Sequence, residues 1–216
     1  MGVKKCVIFG AGDFNAEYVK EILKVNKSDI CIATDAGILN CRALGIRPDI
    51  VIGDMDSLRD NSILAQYDVK RLPVRKDDTD MLAAVKEGLA LGYKYFEMYG
   101  ALGGRLDHTM ANIQCLTFLE NRGARGALYG DRVRVEIISG ERVSYPERYC
   151  RRYNKISVFA YDGDAYGVTE KGLKYKLGDA VLKQEYPMGV SNEFTGRRCS
   201  IEVKKGRLLI CVGDFS

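Results

Sequence analysis

The 216-residue chain has no tryptophan and only one histidine, His108. A zinc site built on several histidines is therefore excluded. The seven cysteines form no CxxC pair, and most of them lie within apolar runs, where a thiol behaves as a small hydrophobic group. This pattern favours free thiols in a reducing compartment over the disulfide framework of a small secreted protein.

Long apolar runs and a strong excess of one charge are also absent. No apolar stretch approaches the roughly 20 residues of a membrane-spanning helix. Residues 1–6 lack an apolar signal core followed by a cleavage site. The net charge is only +4, whereas a nucleic-acid-binding protein of this size usually concentrates far more positive charge. We therefore expect a cytoplasmic protein that binds neither membranes nor nucleic acids.

Strand and helix patterns alternate through the first 130 residues. The predicted strands are 3–9, 30–34, 50–52, 69–72 and 95–99. The predicted helices are 15–25, 39–44, 79–91 and 106–119. The helical period makes the following side chains face inward: Leu82, Val85 and Leu89, then Leu106, Met110, Ile113 and Leu116 or Thr117. Such alternation predicts an α/β domain with a mostly parallel sheet flanked by helices.

The pattern changes near residue 130, after which no convincing helix is predicted. Short β-prone runs follow at 133–138, 156–161, 181–185, 199–203 and 208–212. Asp162-Gly163 and Lys205-Gly206 are turn signals, and the second predicts a hairpin between the last two runs. Many short strands predict an all-β sandwich or barrel. We therefore expect an α/β domain at 1–135 and an all-β domain at 136–216.

Aspartates follow the predicted strands of the first domain. Asp35, Asp54 and Asp56 come directly after strands, whereas Asp77, Asp78 and Asp80 cluster at the start of the helix near Thr79. In open parallel sheets, ligands bind at the carboxyl ends of the strands. Carboxylates gathered there repel one another unless a cation binds, and oxygen ligands without sulfur or imidazole indicate Mg²⁺.

Some of these aspartates also have simpler interpretations. Asp77 or Asp78 suits the N-cap of the following helix, and Asp35 before Ala-Gly suits an ordinary turn. Asp54 and Asp56 flank a single apolar residue directly after a buried strand, which is poor turn chemistry unless the two acids hold a ligand. The functional interpretation is therefore strongest for this pair.

A glycine-rich loop at 100–105 joins a predicted strand to a predicted helix. Its glycines let backbone N–H groups approach an anion, and Arg105 offers a planar fork suited to phosphate oxygens. A flexible turn, with Asp107 favoured by the helix dipole, is the alternative. His108 fits a structural hydrogen bond as well as a catalytic role. No P-loop is present, and Gly10-Ala11-Gly12 lacks the third glycine of GxGxxG.

Taken together, these segments resemble the thiamine pyrophosphokinase family over nearly the whole chain. The similar motifs are D-x-G at 35–37, PD..IGDxDS at 48–57, KDxTD at 76–80, GGRxDH at 103–108, G.KYPL at 172–177 and G.SNE at 189–193. Met55 stands where the family usually has Phe, and Lys176 stands where it has Pro. Each motif alone is weak, but all of them occur in order.

The resemblance implies an N-terminal α/β domain that binds Mg-ATP and a C-terminal β-sandwich that binds thiamine. It also implies a homodimer whose thiamine sites lie between subunits. Matched by position, the expected metal ligands and catalytic residues are Asp54, Asp56, Asp77 and Asp80, with Arg105 also catalytic. The expected nucleotide-site residues are Asp35, Gly37, Ser57, Thr79, Gly103, Gly104, Asp107 and His108. Ser191 and Asn192 are expected to face thiamine, and Tyr186 or Phe194 replaces the tryptophan that some relatives stack on it.

The implied reaction is an in-line attack of the thiamine hydroxyl on the β-phosphorus of ATP, which gives thiamine diphosphate and AMP. One alternative is a related pyrophosphokinase acting on another hydroxymethyl compound such as a pterin. Another is a DxD-type phosphatase, although that family requires Thr where this chain has Leu58. A nucleotide-sensing module without catalysis is the non-enzymatic alternative.

Overall fold

The computed structural model of the chain describes residues 3–55, 65, 67–71 and 78–215. The chain divides into two compact units, Met1–Arg132 and Val133–Ser216. The first combines a sheet with helices and the second is rich in strands, which confirms the α/β plus β-rich expectation. None of the helices in the described part of the chain is long and apolar enough to cross a membrane.

The first unit alternates strands and helices along the chain. Its described elements are β1 (Cys6–Phe9), α1 (Ala16–Ile22), β2 (Ile30–Thr34), α2 (Gly37–Leu44), β3 (Ile50–Gly53), β4 (Asp68–Arg71), α3 (Asp80–Ala90), β5 (Tyr95–Tyr99), α4 (Leu106–Glu120) and β6 (Arg125–Tyr129). β6 was not predicted, because its five residues begin with Arg-Gly and carry little β signal.

The strands of this unit are ordered β4-β3-β2-β1-β5-β6, and each neighbouring pair is parallel. β1 lies in the middle and is fully buried, as expected of a strand covered on both faces. From β1 the chain moves outward through β2, β3 and β4, and then returns to the other side of β1 with β5. The strand order therefore reverses between β1 and β5, which is the place where ligands bind in such sheets.

The predicted inward faces of α3 and α4 are partly wrong. On α3 the buried residues are Met81, Ala84, Val85 and Gly88. Small side chains allow this helix to approach the sheet, since a Cβ on Gly88 would lie 2.6 Å from the Phe96 ring. On α4 the buried residues are Asn112, Cys115, Leu116 and Leu119, whereas Leu106 and Met110 are 75% and 53% exposed. The helical period alone predicts that the leucines face inward. In the structure, the close packing of small residues on α3 and the hydrogen bond of buried Asn112 on α4 determine which face is buried.

The second unit is antiparallel. Its described elements are β7 (Val133–Ser139), β8 (Arg142–Tyr145), α5 (Glu147–Cys150), β9 (Lys155–Lys171), β10 (Leu177–Leu182), β11 (Asn192–Glu193), β12 (Cys199–Glu202) and β13 (Lys205–Gly213). The order is β7-β13-β9-β12-β8, and β10 and β11 also pair with β9. β9 is therefore the strand around which this unit is organised. The sandwich-like packing stays a prediction.

Three predictions about this unit are wrong. β12 and β13 do not form a hairpin with each other: β12 pairs with β8 and β9, whereas β13 pairs with β7 and β9. Asp162-Gly163 does not end a strand, because both residues lie inside β9 with φ angles of 59° and 119°. They fall where the pairing of β13 with β9 shifts register, so the turn signal corresponds to a bulge. A four-residue helix, α5, also occurs where none was expected.

Candidate functional site

A cleft of about 350 Å³ lies where the strand order of the first unit reverses. Two loops form most of its wall, residues 10–13 after β1 and residues 100–105 after β5. The remaining lining residues are Thr34, Asp35, Thr79, Asp80, Met81, His108 and Asn112. The cleft therefore gathers the ends of β1, β2 and β5 together with the beginnings of α3 and α4.

Backbone hydrogen bonds join the two loops. The N–H of Gly10 donates to the carbonyl of Tyr99 at 2.7 Å, and the N–H of Gly12 donates to that of Gly100 at 2.8 Å. A Cβ on Gly12 would lie 2.6 Å from the Gly100 oxygen, so only glycine permits this approach. The cleft wall is thus built from main chain, which lets a ligand come close to peptide groups.

Asp13 links the first loop to the two glycines of the second. Its Oδ2 accepts a hydrogen bond from the N–H of Gly104 at 3.2 Å. Gly103 has a φ of 82°, and a Cβ there would lie 2.0 Å from the same Oδ2. Both the backbone conformation and the space therefore require glycine at position 103.

Two asparagines support these loops from neighbouring helices. Asn40 on α2 donates its Nδ2 to the carbonyl of Gly10 at 2.7 Å. Asn112 on α4, which is buried, donates its Nδ2 to the carbonyl of Ala101 at 2.7 Å. Each amide satisfies a loop carbonyl that has no place in a regular ladder. The loops are therefore held by specific side chains.

Three of the predicted aspartates, Asp35, Asp54 and Asp80, lie at the ends of three different elements. Asp35 follows β2, is 8% exposed and has a φ of 46°, and its N–H donates to Ile52 at 2.9 Å. Asp54 follows β3 and is half-buried. Asp80 opens α3, where the Thr79 hydroxyl caps the helix by accepting from the N–H of Leu82 at 3.2 Å. Of these three carboxylates, Asp35 and Asp80 line the cleft and Asp54 does not.

Arg105 and Asp107 form an exposed ion pair at the start of α4. The guanidinium contacts the carboxylate through Nε–Oδ1 at 3.1 Å and Nη2–Oδ2 at 2.5 Å. The hydrogen bonds between the two side chains raise the pKa of Arg105 and lower the pKa of Asp107. Both groups are therefore charged at neutral pH, and Arg105, which lines the cleft, holds a fixed positive charge there.

The predicted nucleotide-site residues are thus partly gathered at one place. The predicted residues that line the cleft are Asp35, Thr79, Asp80, Gly103, Gly104, Arg105 and His108. Asp54, Gly37 and Asp107 are not among the lining residues. Gly37 has a packing role, since a Cβ there would lie 2.0 Å from the Phe9 carbonyl oxygen. Asp56, Ser57 and Asp77 lie outside the described residues.

Sequence reasoning missed the first loop and the asparagines. Gly10 and Gly12 receive no role there because the GxGxxG pattern is incomplete, and Asp13 belongs to no motif. What reveals them is the strand order of the structure, in which β1 pairs directly with β5 although the paired residues Cys6 and Phe96 are 90 positions apart in the chain. Asn40 and Asn112 carry no motif and are found only by following loop carbonyls to their donors.

The magnesium site stays a prediction. The described residues contain no group of three or more His, Cys, Asp or Glu side chains arranged to hold a metal ion. Two of the four predicted ligands, Asp56 and Asp77, lie outside this part of the chain. The carboxylates that border the cleft, those of Asp35 and Asp80 among them, are hard oxygen donors, and this chemistry suits Mg²⁺.

A second candidate site joins two motifs of the second unit that are separated in sequence. The N–H of Lys174 donates to the carbonyl of Glu193 at 3.0 Å, and the Thr195 hydroxyl donates to that of Gly172 at 2.9 Å. The carboxylate of Glu193 also contacts the ammonium groups of Lys174 and Lys155 at 3.0 Å each. Segments 172–177 and 189–193 therefore form one structural feature.

Ser191 and Asn192 differ in their surroundings. Ser191 is exposed and has a φ of 59°, and its N–H donates to the Ser157 hydroxyl at 3.0 Å. Asn192 is only 6% exposed, and its amide bonds to both backbone polar groups of Tyr175. The ring of Tyr175 is itself 60% exposed. At this feature Ser191 and Tyr175 are accessible to a ligand, whereas Asn192 lies beneath them.

Phe194, which was expected to stack on thiamine, contacts other aromatic rings of the protein. Its ring packs edge-on against Tyr145 and Tyr149, with ring centroids 6.3 and 6.4 Å apart. Tyr186, in contrast, is 66% exposed beside a small pocket bordered by Val158–Ala160 and Leu182–Gln184. Of the two aromatic residues suggested for stacking, Tyr186 is the more accessible.

The fold and the glycine-lined cleft are typical of α/β proteins that bind phosphorylated ligands at the carboxyl edge of a parallel sheet. Two family models describe the chain more specifically: the thiamin pyrophosphokinase catalytic domain matches residues 23–126, and the thiamin pyrophosphokinase vitamin B1 binding domain matches residues 144–208. The chain belongs to the thiamin pyrophosphokinase family.

Individual relatives agree with this assignment. The chain is 25% identical over 185 residues to thiamine pyrophosphokinase of Bacillus subtilis, which covers 83% of this chain and 85% of the relative. The crystal structure of thiamine pyrophosphokinase from Bacillus subtilis superposes with a TM-score of 0.84 at 19% identity, covering 99% of this chain and 100% of that one. The thiamin pyrophosphokinase from Geobacillus thermodenitrificans gives 0.82 at 21% identity and covers 99% of each chain. These structural likenesses show a shared fold.

Proposed function

We propose that the protein transfers the pyrophosphoryl group of ATP to the hydroxyl of thiamine, giving thiamine diphosphate and AMP. The observation that carries the proposal is the cleft at the β1–β5 reversal. Its second glycine loop, at 100–105, and the carboxylates of Asp35 and Asp80 lie within the stretch that matches the family's catalytic domain. Residues 144–208, which match its vitamin B1 binding domain, supply a separate feature for the acceptor.

The ATP phosphates would lie against the loop that contains Gly103 and Gly104. Main-chain N–H groups near the start of α4 favour an anion, because the helix dipole points its positive end there. Arg105 adds a charge whose position is set by Asp107. These groups would hold the triphosphate so that its β-phosphorus faces the acceptor, because transfer of this kind relies on positioning and charge stabilisation.

Magnesium would be held by Asp54, Asp56, Asp77 and Asp80. When bound, the ion supplies positive charge that offsets the charge developing on the phosphate oxygens. The protein's part is to gather oxygen donors, of which Asp80 is the first residue of α3, directly after the Thr79 cap. One of these carboxylates would accept the hydroxyl proton of thiamine. Asp35, Ser57 and His108 would complete the polar wall around the nucleotide.

Thiamine would bind at the feature formed by segments 172–177 and 189–193. Ser191 presents an exposed hydroxyl from a strained turn, and Asn192 supports that turn from below. Thiamine carries a permanent positive charge, which aromatic faces attract. We add Tyr175 to Tyr186 as a stacking candidate, because its exposed ring lies beside the backbone that Asn192 holds.

We also propose that the protein is a cytoplasmic homodimer. Exposed large apolar side chains concentrate within 25 residues of the second unit: Tyr166, Tyr175, Val181, Tyr186, Met188 and Val190. Exposed apolar side chains that lie together on a surface mark protein–protein contacts in soluble proteins. A thiamine site shared between subunits, and a sandwich-like second domain within 136–216, complete the proposal.

The direct test incubates the purified protein with ATP, Mg²⁺ and thiamine and separates the products by chromatography. We expect AMP and thiamine diphosphate in equal amounts, with both lost on addition of EDTA. Thiamine monophosphate with ADP would show transfer of the wrong phosphoryl group. Release of phosphate from simple esters without ATP would instead indicate a phosphatase. ATP binding without AMP formation would indicate a nucleotide sensor, and AMP formation that requires a hydroxymethylpterin in place of thiamine would indicate the other acceptor.

A further inference from the structure

Glu170, near the end of β9, is a buried acid that the proposed reaction does not use. It is 2% exposed, which is unusual for a glutamate. Its Oε2 accepts a hydrogen bond from the Nδ2 of Asn192 at 2.8 Å. Its Oε1 has no hydrogen-bond partner among the described residues. Burial raises the pKa of this carboxyl.

Asn192 uses its full hydrogen-bonding capacity within the protein. Its Nδ2 donates to Glu170 and to the carbonyl of Tyr175 at 2.7 Å. Its Oδ1 accepts from the N–H groups of Tyr175 at 3.0 Å and Glu193 at 2.8 Å. An asparagine amide has two N–H donors and two acceptor lone pairs. All four are occupied, so Asn192 holds the surrounding chain, and Glu170 fixes one of its two donors.

The chain that Asn192 holds is the part exposed to ligand. Tyr175 is fixed through both of its backbone polar groups, and its ring is left at the surface. Ser191 immediately precedes Asn192 and has a φ of 59°, a conformation that costs free energy for a residue other than glycine. Such a turn persists only when its neighbours are firmly held. If Asn192 shifts, Tyr175 loses both of these backbone hydrogen bonds, and Ser191 is left with its hydrogen bond to the Ser157 hydroxyl.

We propose that Glu170 is a positioning residue for the acceptor site, which acts through Asn192 to hold Ser191 and Tyr175 in the geometry that binds thiamine. The inference rests on the proposed function. Glu170 does not contact thiamine itself, because it is buried beneath the segment that would. What it supplies is an acceptor oxygen, and a neutral carboxyl supplies this oxygen as well as a carboxylate does.

The test compares Glu170→Gln with Glu170→Leu. Glutamine keeps an acceptor for Asn192, whereas leucine keeps most of the bulk and removes the acceptor. We expect the KM for thiamine to rise about tenfold or more in Glu170→Leu, as when a buried donor loses its partner. In Glu170→Gln it should stay within about twofold of the wild type. The KM for ATP should stay within about twofold in both variants, since the contacts of Glu170 lie in the second unit.

Glu202→Leu and Glu202→Gln are the matched controls. Glu202 lies on β12 next to β9, where it pairs with Thr169, one residue before Glu170. Its carboxylate contacts the exposed Arg142 at 2.5 Å. Both control variants should retain the wild-type KM for thiamine. Thermal melting identifies any variant that fails to fold, and all kinetic values are taken below its transition.

Three results would overturn the inference. The first is an unchanged KM for thiamine in a folded Glu170→Leu protein, and the second is an equal rise in both KM values. The third is a loss in Glu170→Gln as large as that in Glu170→Leu, because the acceptor would then not be what matters. In each case the wild type still forms thiamine diphosphate, so the proposed function stands. A wild type without thiamine-dependent AMP formation would remove the proposed function, and this inference with it.

Discussion

The two candidate sites are built in different ways. The cleft of the first unit is mostly main chain: glycines at 10, 12, 100, 103 and 104 bring two loops together, and the side chains around them hold loop carbonyls. The feature of the second unit depends on one buried side chain, Asn192, whose four hydrogen bonds link three segments. The first site should therefore be sensitive to added atoms, and the second to removed ones.

The largest expected effect tests whether the proposed metal ligands are needed as well as the shape of the cleft. Asp54→Asn keeps the size of the side chain and removes its charge. We expect kcat to fall by about a thousandfold, roughly 4 kcal/mol in activation free energy, with unchanged thermal stability. Asp68→Asn is the control, because Asp68 is exposed at the start of β4, at the opposite end of the sheet. Near-normal turnover in Asp54→Asn would remove this residue from the metal ligands.

The next test adds a single methyl group to the first site. In Gly103→Ala the new Cβ would collide with Asp13, so the loop must shift; we expect kcat/KM for ATP to fall about tenfold to a hundredfold. Gly92→Ala is the matched control, because Gly92 has a similar φ of 84° and no atom within 4 Å of its Cβ position. Both variants should lose about 1 kcal/mol of stability from backbone strain. Equal activity in the two variants would show that the contact with Asp13 is unimportant.

Removing atoms should damage the second site instead. In Asn192→Ala, the backbone groups of Tyr175 and Glu193 lose their buried partner, as does Glu170. We expect the free energy of unfolding to fall by about 2–4 kcal/mol, measured by urea denaturation. Gln184→Ala, an exposed change in the same unit, should alter it by less than about 0.5 kcal/mol. If Asn192→Ala costs no more than the control, the hydrogen bonds of the amide contribute little to the fold.

The smallest expected effect is a pH dependence of stability. Burial raises the pKa of Glu170 above its ordinary value of 4.5 in the folded protein, while the unfolded chain titrates normally. The folded state therefore binds the proton more tightly, so this contribution is present below pH 4.5 and is lost as pH rises through the folded pKa. Unfolding of the wild type and Glu170→Gln should thus diverge with rising pH, with the variant relatively favoured. Parallel stability curves from pH 4 to 8 would show that the carboxyl titrates alike in both states.

Local patterns predict most elements of the first unit well, because every strand and helix there except β6 carries its own signal. β2 and β5 lie at the predicted residues, and α4 is within one residue of its predicted end. Partners that are distant in sequence are harder to predict. Nothing in the sequence near Lys205-Gly206 shows that β13 pairs with β7 and β9 rather than with β12. The turn signal is local, but the pairing is decided by burial across the whole unit.

In the candidate sites, too, local motifs are predicted well and partners distant in sequence are not. Motifs identify Asp35, Asp80 and Gly103, because phosphate chemistry limits which residues can serve. They do not separate a residue that contacts a ligand from one that supports the contact, so Asn192 is found from the SNE motif but its buried position is not. Glu170 carries no motif, and only the hydrogen bond to Asn192 reveals it. The assignments of Asp54, Asp56, Asp77 and Asp80 to a metal stay predictions.

The central position of β13 has a consequence for biosynthesis. This strand follows every other strand of its unit in the chain, yet it lies between β7 and β9. During translation the first unit can fold before β13 has been synthesised. At that stage β7 and β9 lack the strand that lies between them. Until β13 emerges from the ribosome, both present unpaired edges, which are the surfaces from which chains aggregate. A nascent chain that stalls shortly before β13 should therefore depend on chaperones, whereas one released after it should not.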